Sequence, residues 1–275
     1  MRPEDVETIR AMVHARSGVV IDQEKTYQIE TGLAPVARRA GFASLHDLVQ
    51  AIRAQSDERL LWAATEALTS SETSFFRDRA PFRVFREEIL PALVADRGDK
   101  PIRVWCAAAG AGQEPYSLAM ILDDEQAKLA NARVELSASD ISERALERAR
   151  GGLYTQFEVQ RGLPIRLLVR HFEKVDDQWS LSPRIRQMVR WRRINLLADL
   201  RSLGRFDVIF CRNVIASFDQ PTRRRVLDQL ANALPEDGCL VLGADETLGG
   251  ASERLKPVAG RRGFYAPSRQ AHAAA

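Results

Sequence analysis

Apolar side chains in the first part of the chain recur at helical intervals. In PEDVETIRAMVHARSG, Val6, Ile9, Met12 and Val13 share one helical face, and Ser17-Gly18 supplies a stop. Ile29, Leu33 and Val36 repeat the spacing before Gly41. Ser44, with Asp47 three residues on, caps a third helix that buries Leu45, Leu48, Val49 and Ile52. A fourth carries Leu60, Leu61, Ala64 and Leu68. Four short helices with brief joints predict a small bundle, closed where LTSSETSFFRD turns from polar to aromatic. A helix over 81–95 follows, broken by RGDKP at 97–101.

From residue 101 the texture alternates. Residues 102–107 read as strand, 116–129 as helix, 134–139 as strand, and 142–150 as helix until Gly151-Gly152. Then come DVIFC at 207–211, a helix over 219–234 with Pro221 tolerated in its first turn, and CLVLG at 239–243. Strands alternating with helices predict a mostly parallel, doubly wound sheet, whose ligands bind beyond the carboxyl ends of its strands. No internal repeat is present, and low complexity is confined to the end, SRQAHAAA.

Composition narrows the classes. A chain of 275 residues, 45% hydrophobic and 28% charged, reads as soluble and globular, long enough for one large or two ordinary domains. No apolar run approaches the roughly 20 residues that span a bilayer, and MRPEDVE lacks the basic start of a signal peptide. These features predict a cytoplasmic protein with no membrane insertion. Cys106, Cys211 and Cys239 are odd in number and far apart, which suits reduced core thiols. His14, His46, His171 and His272 make no metal-ligand spacing, so no metal is expected.

The formal charge of +3 hides an asymmetry. Residues 1–78 hold 9 Lys and Arg against 12 Asp and Glu, whereas 161–193 hold 9 against 3. The basic segment is either a solvated face or a docking surface for an acidic partner.

The turn after the first predicted strand, in RVWCAAAGAGQEPYSLA, nearly matches the dinucleotide fingerprint. Gly110 and Gly112 are in place, and Pro115 stands where the third glycine belongs. Glu114 opens the next helix and would repel a phosphate there. The ligand should therefore lack phosphate and carry positive charge. S-adenosylmethionine has a sulfonium and an ammonium, and its ribose diol calls for an acid at the end of the second strand, where Asp140 stands. Each residue has a structural alternative: the glycines make a tight turn, Glu114 complements the helix dipole, and Asp140 caps the helix from Ser142. Their order on two successive strands favours an S-adenosylmethionine fold.

Longer motifs carry a resemblance. TSSETSFFRD at 69–78, WCAAAGAGQEPYSLAM, ASDISERALERARGGLY, RINLL and FDVIFCRNV resemble the CheR-type chemotaxis receptor methyltransferases, which esterify protein glutamates, over about residues 5–266. The resemblance implies an α/β fold with a Rossmann-like, doubly wound methyltransferase sheet. It also implies an all-helical N-terminal domain, 1–78, and a methyltransferase domain, 79–275, with a small antiparallel β insertion near 170–190. Residue by residue it assigns Asp140 to the ribose hydroxyls and Asn195-Leu196 to the adenine. Thr73, Arg77 and Glu114 face the methionine end beside the loop from Ala107 through Gly110 and Gly112, and Arg212-Asn213 closes the pocket from the fourth strand. Arg77 and Arg212 are the implied catalytic residues. Their structural alternatives are an exposed helix-start residue for Arg77 and a pairing with a carboxylate such as Asp207 for Arg212.

The implied reaction suits the residues present. A glutamate with a pKa of about 4.3 is already an anionic nucleophile at neutral pH, so no His-Asp dyad is required. Three positions depart from the family pattern: Ser217 replaces an aromatic phenol, Ala111 a threonine, and Asp245 a serine in GADE. Two rivals follow: a module that binds the cofactor or its demethylated product without turnover, and a methyltransferase for another substrate such as RNA. Against RNA, the basic segment has only Phe172, Trp179 and Trp191 for stacking. The implied partner is the receptor cytoplasmic domain, met by a monomer without nucleic acid. Arg184, Arg186 and Arg190 are the expected docking residues, acting without a peptide tether.

Overall fold

The computed structural model describes residues 1–54, 57–69, 73–129 and 132–268. Ser70, Ser71 and Glu72 of the TSSETSFFRD run, and all but Ser268 of the SRQAHAAA end with its His272, lie outside the described residues.

The expected four-helix bundle is present as α1 (Pro3–Ser17), α2 (Thr26–Arg39), α3 (Leu45–Arg53) and α4 (Glu58–Thr69). Ile9, Val13, Ile29, Leu33, Leu48, Val49 and Ala64 are fully buried between them. Gly18, at φ 76°, ends α1 in the left-handed conformation, and Ser44 Oγ accepts the Asp47 N–H at 3.1 Å to cap α3.

The helix expected over 81–95 is interrupted. It runs as α5 (Ala80–Val84), a π turn (Phe85–Ile89) and α6 (Leu90–Arg97). Pro91 is the physical reason: it has no N–H, and its ring crowds the carbonyl four residues back. The chain widens by one residue ahead of it, so that Leu90 N–H reaches Phe85 O.

The alternating part builds β1 (Ile102–Ala107), α7 (Gln113–Asp124), α8 (Gln126–Leu129), β2 (Val134–Asp140) and α9 (Glu143–Gly151). After these come β3 (Leu153–Thr155), α10 (Gln156–Gln160), α11 (Ile165–His171), β4 (Phe172–Val175), β5 (Gln178–Leu181), α12 (Pro183–Arg186) and β6 (Val189–Arg193). The chain ends with β7 (Val208–Cys211), α13 (Gln220–Asn232), β8 (Cys239–Val241), β9 (Leu255–Pro257) and β10 (Phe264–Pro267). Seven strands form one sheet in the order β6-β2-β1-β7-β8-β10-β9, parallel from β6 to β8, with β10 antiparallel to both neighbours. Strands β3, β5 and β4 form a separate antiparallel sheet. Its hairpin falls within the expected insertion near 170–190, its third strand comes from 153–155, and 189–193 belongs instead to the edge of the main sheet.

Strand β7 is apolar throughout, and β1 is apolar apart from Arg103, because both faces are covered. Val104 and Cys106 meet Phe85 and Phe210 on one face, while Trp105 and Ala107 meet Ile209 and Leu230 on the other. Ala107 lies level with both Ser139 and Cys211. Strand order diverges between β1 and β7, so the carboxyl ends of β2, β1 and β7 open together at the switch point.

Candidate functional site

The loop leaving β1 is built by backbone requirements. Gly112 has φ 95°, and a Cβ there would sit 3.0 Å from Ala149 Cβ and 3.1 Å from the Trp191 and Tyr116 rings. Only glycine lets the start of α7 close on α9 and β6. Gly110 N–H donates to Asp140 Oδ2 at 2.8 Å, and Ser142 N–H donates to Oδ1 at 2.9 Å. Asp140 thus ties the β1 loop to the end of β2. The cap of α9 is Ser142 itself, whose Oγ accepts the Ala145 N–H. Burial pushes the Asp140 carboxyl above its usual range, against the pull of these backbone amides.

Two cavities open at these strand ends. The larger, about 220 Å³, has Asp140, Asn195, Leu196 and Asn213 in its wall, with Ser217 and Phe218 beyond them. The smaller, about 20 Å³, is lined by Thr73, Arg77, Glu114, Arg212 and Asn213. Ala108 and Asn213 belong to both walls. Each is a non-glycine residue in the left-handed region, at φ 56° and 61°, a conformation that clusters at functional sites. The structure therefore brings eight of the expected residues together in two linked cavities. Ala107, Gly110 and Gly112 shape the loop behind them.

The helical bundle supplies part of the larger wall through Ser17, Val19, Leu68 and Thr69. Val20 N–H donates to Ser217 O at 2.8 Å, and the Asn195 amide donates to Arg16 O at 2.6 Å. His14 Nε2 lies 2.9 Å from Asp219 Oδ2. The sequence marked Ser17 as a helix stop, Leu68 as a buried helix position and Thr69 as the start of a motif, but nothing in it marked them or Val19 as cavity wall.

The smaller cavity is organised by charge. The Arg212 side chain, 1% exposed, donates Nη1 to Glu114 at 2.7 Å and Nη2 to Asp78 at 2.5 Å and to Arg77 O at 3.0 Å. Its guanidinium lies over Phe82, and its buried Nε has no acceptor. The suggested partner Asp207 is instead held by Arg97 Nε and Arg103 N–H, both at 2.7 Å. Burial raises the Glu114 carboxyl above its usual range, while the neighbouring Arg212 and Arg77 charges draw it down. Sequence reasoning also passed over Glu246. Its buried carboxylate accepts N–H bonds from Asn213 at 2.7 Å, Gly243 at 2.8 Å and Ala216 at 3.0 Å, which hold the strained turn after β7. The signal was the last residue of GADE.

The sequence pattern of the CheR methyltransferase all-alpha domain matches residues 4–69, and that of the CheR methyltransferase SAM binding domain matches 71–264. The chain belongs to the CheR methyltransferase family. It is 36% identical to chemotaxis protein methyltransferase 1 of Pseudomonas aeruginosa over 92% of this chain and 94% of that one. It is 33% identical to chemotaxis protein methyltransferase Cher2 of Pseudomonas putida over the same shares, and 36% identical to the chemotaxis protein methyltransferase of Vibrio parahaemolyticus over 90% of each. The protein is an S-adenosylmethionine-dependent methyltransferase of chemotaxis. Among the described residues, no helix is long and apolar enough to cross a membrane.

Two departures from the family pattern lie away from the cavities. Asp245 is exposed, 3.6 Å from Arg262, and Ala111 lines neither wall, its carbonyl accepting the Tyr154 hydroxyl at 2.8 Å. Ser217 is in the larger wall, its hydroxyl donated to Val214 O at 2.6 Å. The basic segment is largely engaged within the molecule. Arg184 meets Asp123 at 2.5 Å, Arg186 donates to Gly151 O at 3.1 Å, and Arg190 lies 3.9 Å from Glu135. The charge available there for docking is smaller than the count over 161–193 implies.

Proposed function

We propose that the protein transfers a methyl group to glutamate side chains in the cytoplasmic domain of chemotaxis receptors, giving methyl esters. It acts as a cytoplasmic monomer that needs no metal and no nucleic acid. Its helical unit is 1–78 and its methyltransferase unit 79–275. The observation that carries the reading is the pair of cavities joined at Ala108 and Asn213. One end offers a carboxylate and an amide suited to a nucleoside, and the other a buried carboxylate beside an arginine with a donor to spare.

The donor set fits S-adenosylmethionine. Asp140 would accept from the ribose diol, since a carboxylate has about four acceptor sites and backbone amides use two of Asp140's. Asn195 and Leu196 would flank the adenine. Glu114 and Arg77 would hold the amino-acid end, with Thr73 beside them, and the Arg212 Nε would meet a ligand oxygen. When bound, the cofactor supplies an electrophilic methyl on sulfur. The chain's own task is positioning, because the acceptor glutamate is already ionised and needs no base. Arg212 pins Glu114, Asp78 and the Arg77 carbonyl in one frame, while Asn213, fixed through Glu246, closes the opposite side. Arg77, at the rim of this frame, attracts the acceptor carboxylate and orients it.

The test is to incubate the protein with radiolabelled S-adenosylmethionine and a receptor signalling domain. Label released by base as methanol supports a glutamate ester, whereas base-stable label points to an amine or an RNA base. No transfer with retained cofactor binding supports a non-catalytic binding module.

A further inference from the structure

Beside the smaller cavity lies a groove of about 330 Å³ that methyl transfer itself does not use. Phe76, Phe82 and Leu167 form its apolar floor, and Arg79, Arg83, Arg86 and Arg166 stand around it. Through Phe76, Arg79 and Gly162 it continues into an open recess of about 490 Å³ that includes Arg77. Arg77 also lines the smaller cavity, so the recess adjoins the reaction site across this side chain.

The backbone is bent to make this surface. Phe76, Asp78 and Arg79 all have positive φ, at 49°, 65° and 45°, which non-glycine residues adopt at a cost. Gly162, at φ 96°, presses on the same turn so closely that a Cβ there would lie 2.1 Å from Phe75 O. The rim is cationic on balance: its four arginines stand against Glu87 and Asp124 in the groove and Glu125 behind Arg86. Arg86 is braced by Glu125 and Arg166 by Asp124 at 2.9 Å, while Arg83 is 3.6 Å from Glu87 and, like Arg79, exposed.

We infer that this groove seats the acceptor's own helix next to the glutamate being methylated. An amphipathic acidic helix matches it: an apolar stripe covers the Phe76, Phe82 and Leu167 floor while flanking carboxylates meet the arginine rim. The inference rests on the acceptor proposed above, a glutamate in the cytoplasmic domain of a chemotaxis receptor. It moves docking away from Arg184, Arg186 and Arg190, which lie outside the groove, to the rim beside Arg77.

The probe is a fluorescein-labelled acidic amphipathic peptide spanning a methylated receptor segment, followed by anisotropy with S-adenosylhomocysteine present. Arg79→Glu with Arg83→Glu should raise its Kd about tenfold or more and flatten its salt dependence. Arg79→Gln with Arg83→Gln should fall between, and Arg184→Glu with Arg190→Glu should stay near wild type. S-adenosylhomocysteine affinity and Tm should hold in all three variants. The groove is overturned if the wild type fails to bind the peptide, or if the Arg79 and Arg83 variants bind as wild type does. It is also overturned if a single-stranded RNA shows the Arg79 and Arg83 dependence in place of the peptide. Methyl transfer to the whole receptor domain is measured separately. Groove-dependent peptide binding without ester formation overturns the acceptor reading alone, and ester formation at wild-type KM in the reversed variant overturns the groove alone.

Discussion

Arg212 and Glu114, 98 positions apart, meet in a buried ion pair at 2.7 Å that ties the end of β7 to the start of α7. Removing one partner strands the other. Arg212→Ala should cost about 3–5 kcal/mol of stability, because the buried Glu114 loses its counter-charge and must stay desolvated or take up a proton. Exchanging both, Glu114→Gln with Arg212→Met, should recover much of that stability without recovering methyl transfer. Urea unfolding and transfer rates measured on the same preparations check both parts; a double variant as unstable as the single one would refute the pairing as the cause.

Arg77 should behave in the opposite way. Its carbonyl serves Arg212, which any residue at 77 can do, while its side chain lines the smaller cavity and the recess beside it. Arg77→Ala should therefore lower kcat by about a hundredfold or more, as loss of a well-placed charge-stabilising donor does, with Tm nearly unchanged. Unfolding with normal specific activity in the surviving fraction would make Arg77 a structural residue.

Much of this frame was legible in the chain because its signals are local. The buried strands β1, from Val104 on, and β7 are apolar runs, the bundle repeats a helical period, and the turn at Gly110 and Gly112 announces itself. Glu114 was readable as hostile to phosphate, yet its partner was not, since Arg212 comes from another strand. The same limit hid Ser17, Val19, Leu68 and Thr69 as cavity wall, and it hid the neutralisation of Arg184 by Asp123. Charge counts along a segment do not register a carboxylate that folding brings up from elsewhere. Strands β9 and β10 escaped notice because LKP and FYAP, unlike the apolar runs of β7 and β8, each hold a proline that argues against a strand.

The two loop glycines separate turn geometry from packing. Both have positive φ, so an alanine at either costs roughly 1–2 kcal/mol in the left-handed region. At Gly110 the nearest atom to an added Cβ is Thr73 Cγ2 at 3.4 Å, an ordinary contact, and little more should be lost. At Gly112 the methyl meets Ala149, Trp191 and Tyr116 at 3.0–3.1 Å, which adds about 1–3 kcal/mol of overpacking. Denaturant midpoints should rank wild type above Gly110→Ala above Gly112→Ala. Equal losses would mean that α7 can shift to make room.

Asp140 gives opposite pH signatures for folding and for binding. Burial raises its pKa above the ordinary value of about 3.9, Glu66's charge adds to the rise, and the amides of Gly110 and Ser142 oppose it. In the free protein a raised carboxyl favours the folded state below its unfolded pKa, and that contribution disappears as pH rises through the folded value. Binding runs the other way. Ribose hydroxyls donate to the ionised carboxylate, so affinity for S-adenosylhomocysteine should weaken as pH falls through the raised pKa, starting at a higher pH than an ordinary aspartate would allow. Asp140→Asn keeps an oxygen for one backbone amide but cannot titrate. It should bind roughly 1–3 kcal/mol more weakly at neutral pH and show a flatter acid limb. Calorimetry from about pH 4.5 to 7.5 spans the ordinary and raised ranges. An unchanged acid limb in the Asn variant would assign the titration to Glu114, whose carboxyl is also raised by burial and lines the other cavity.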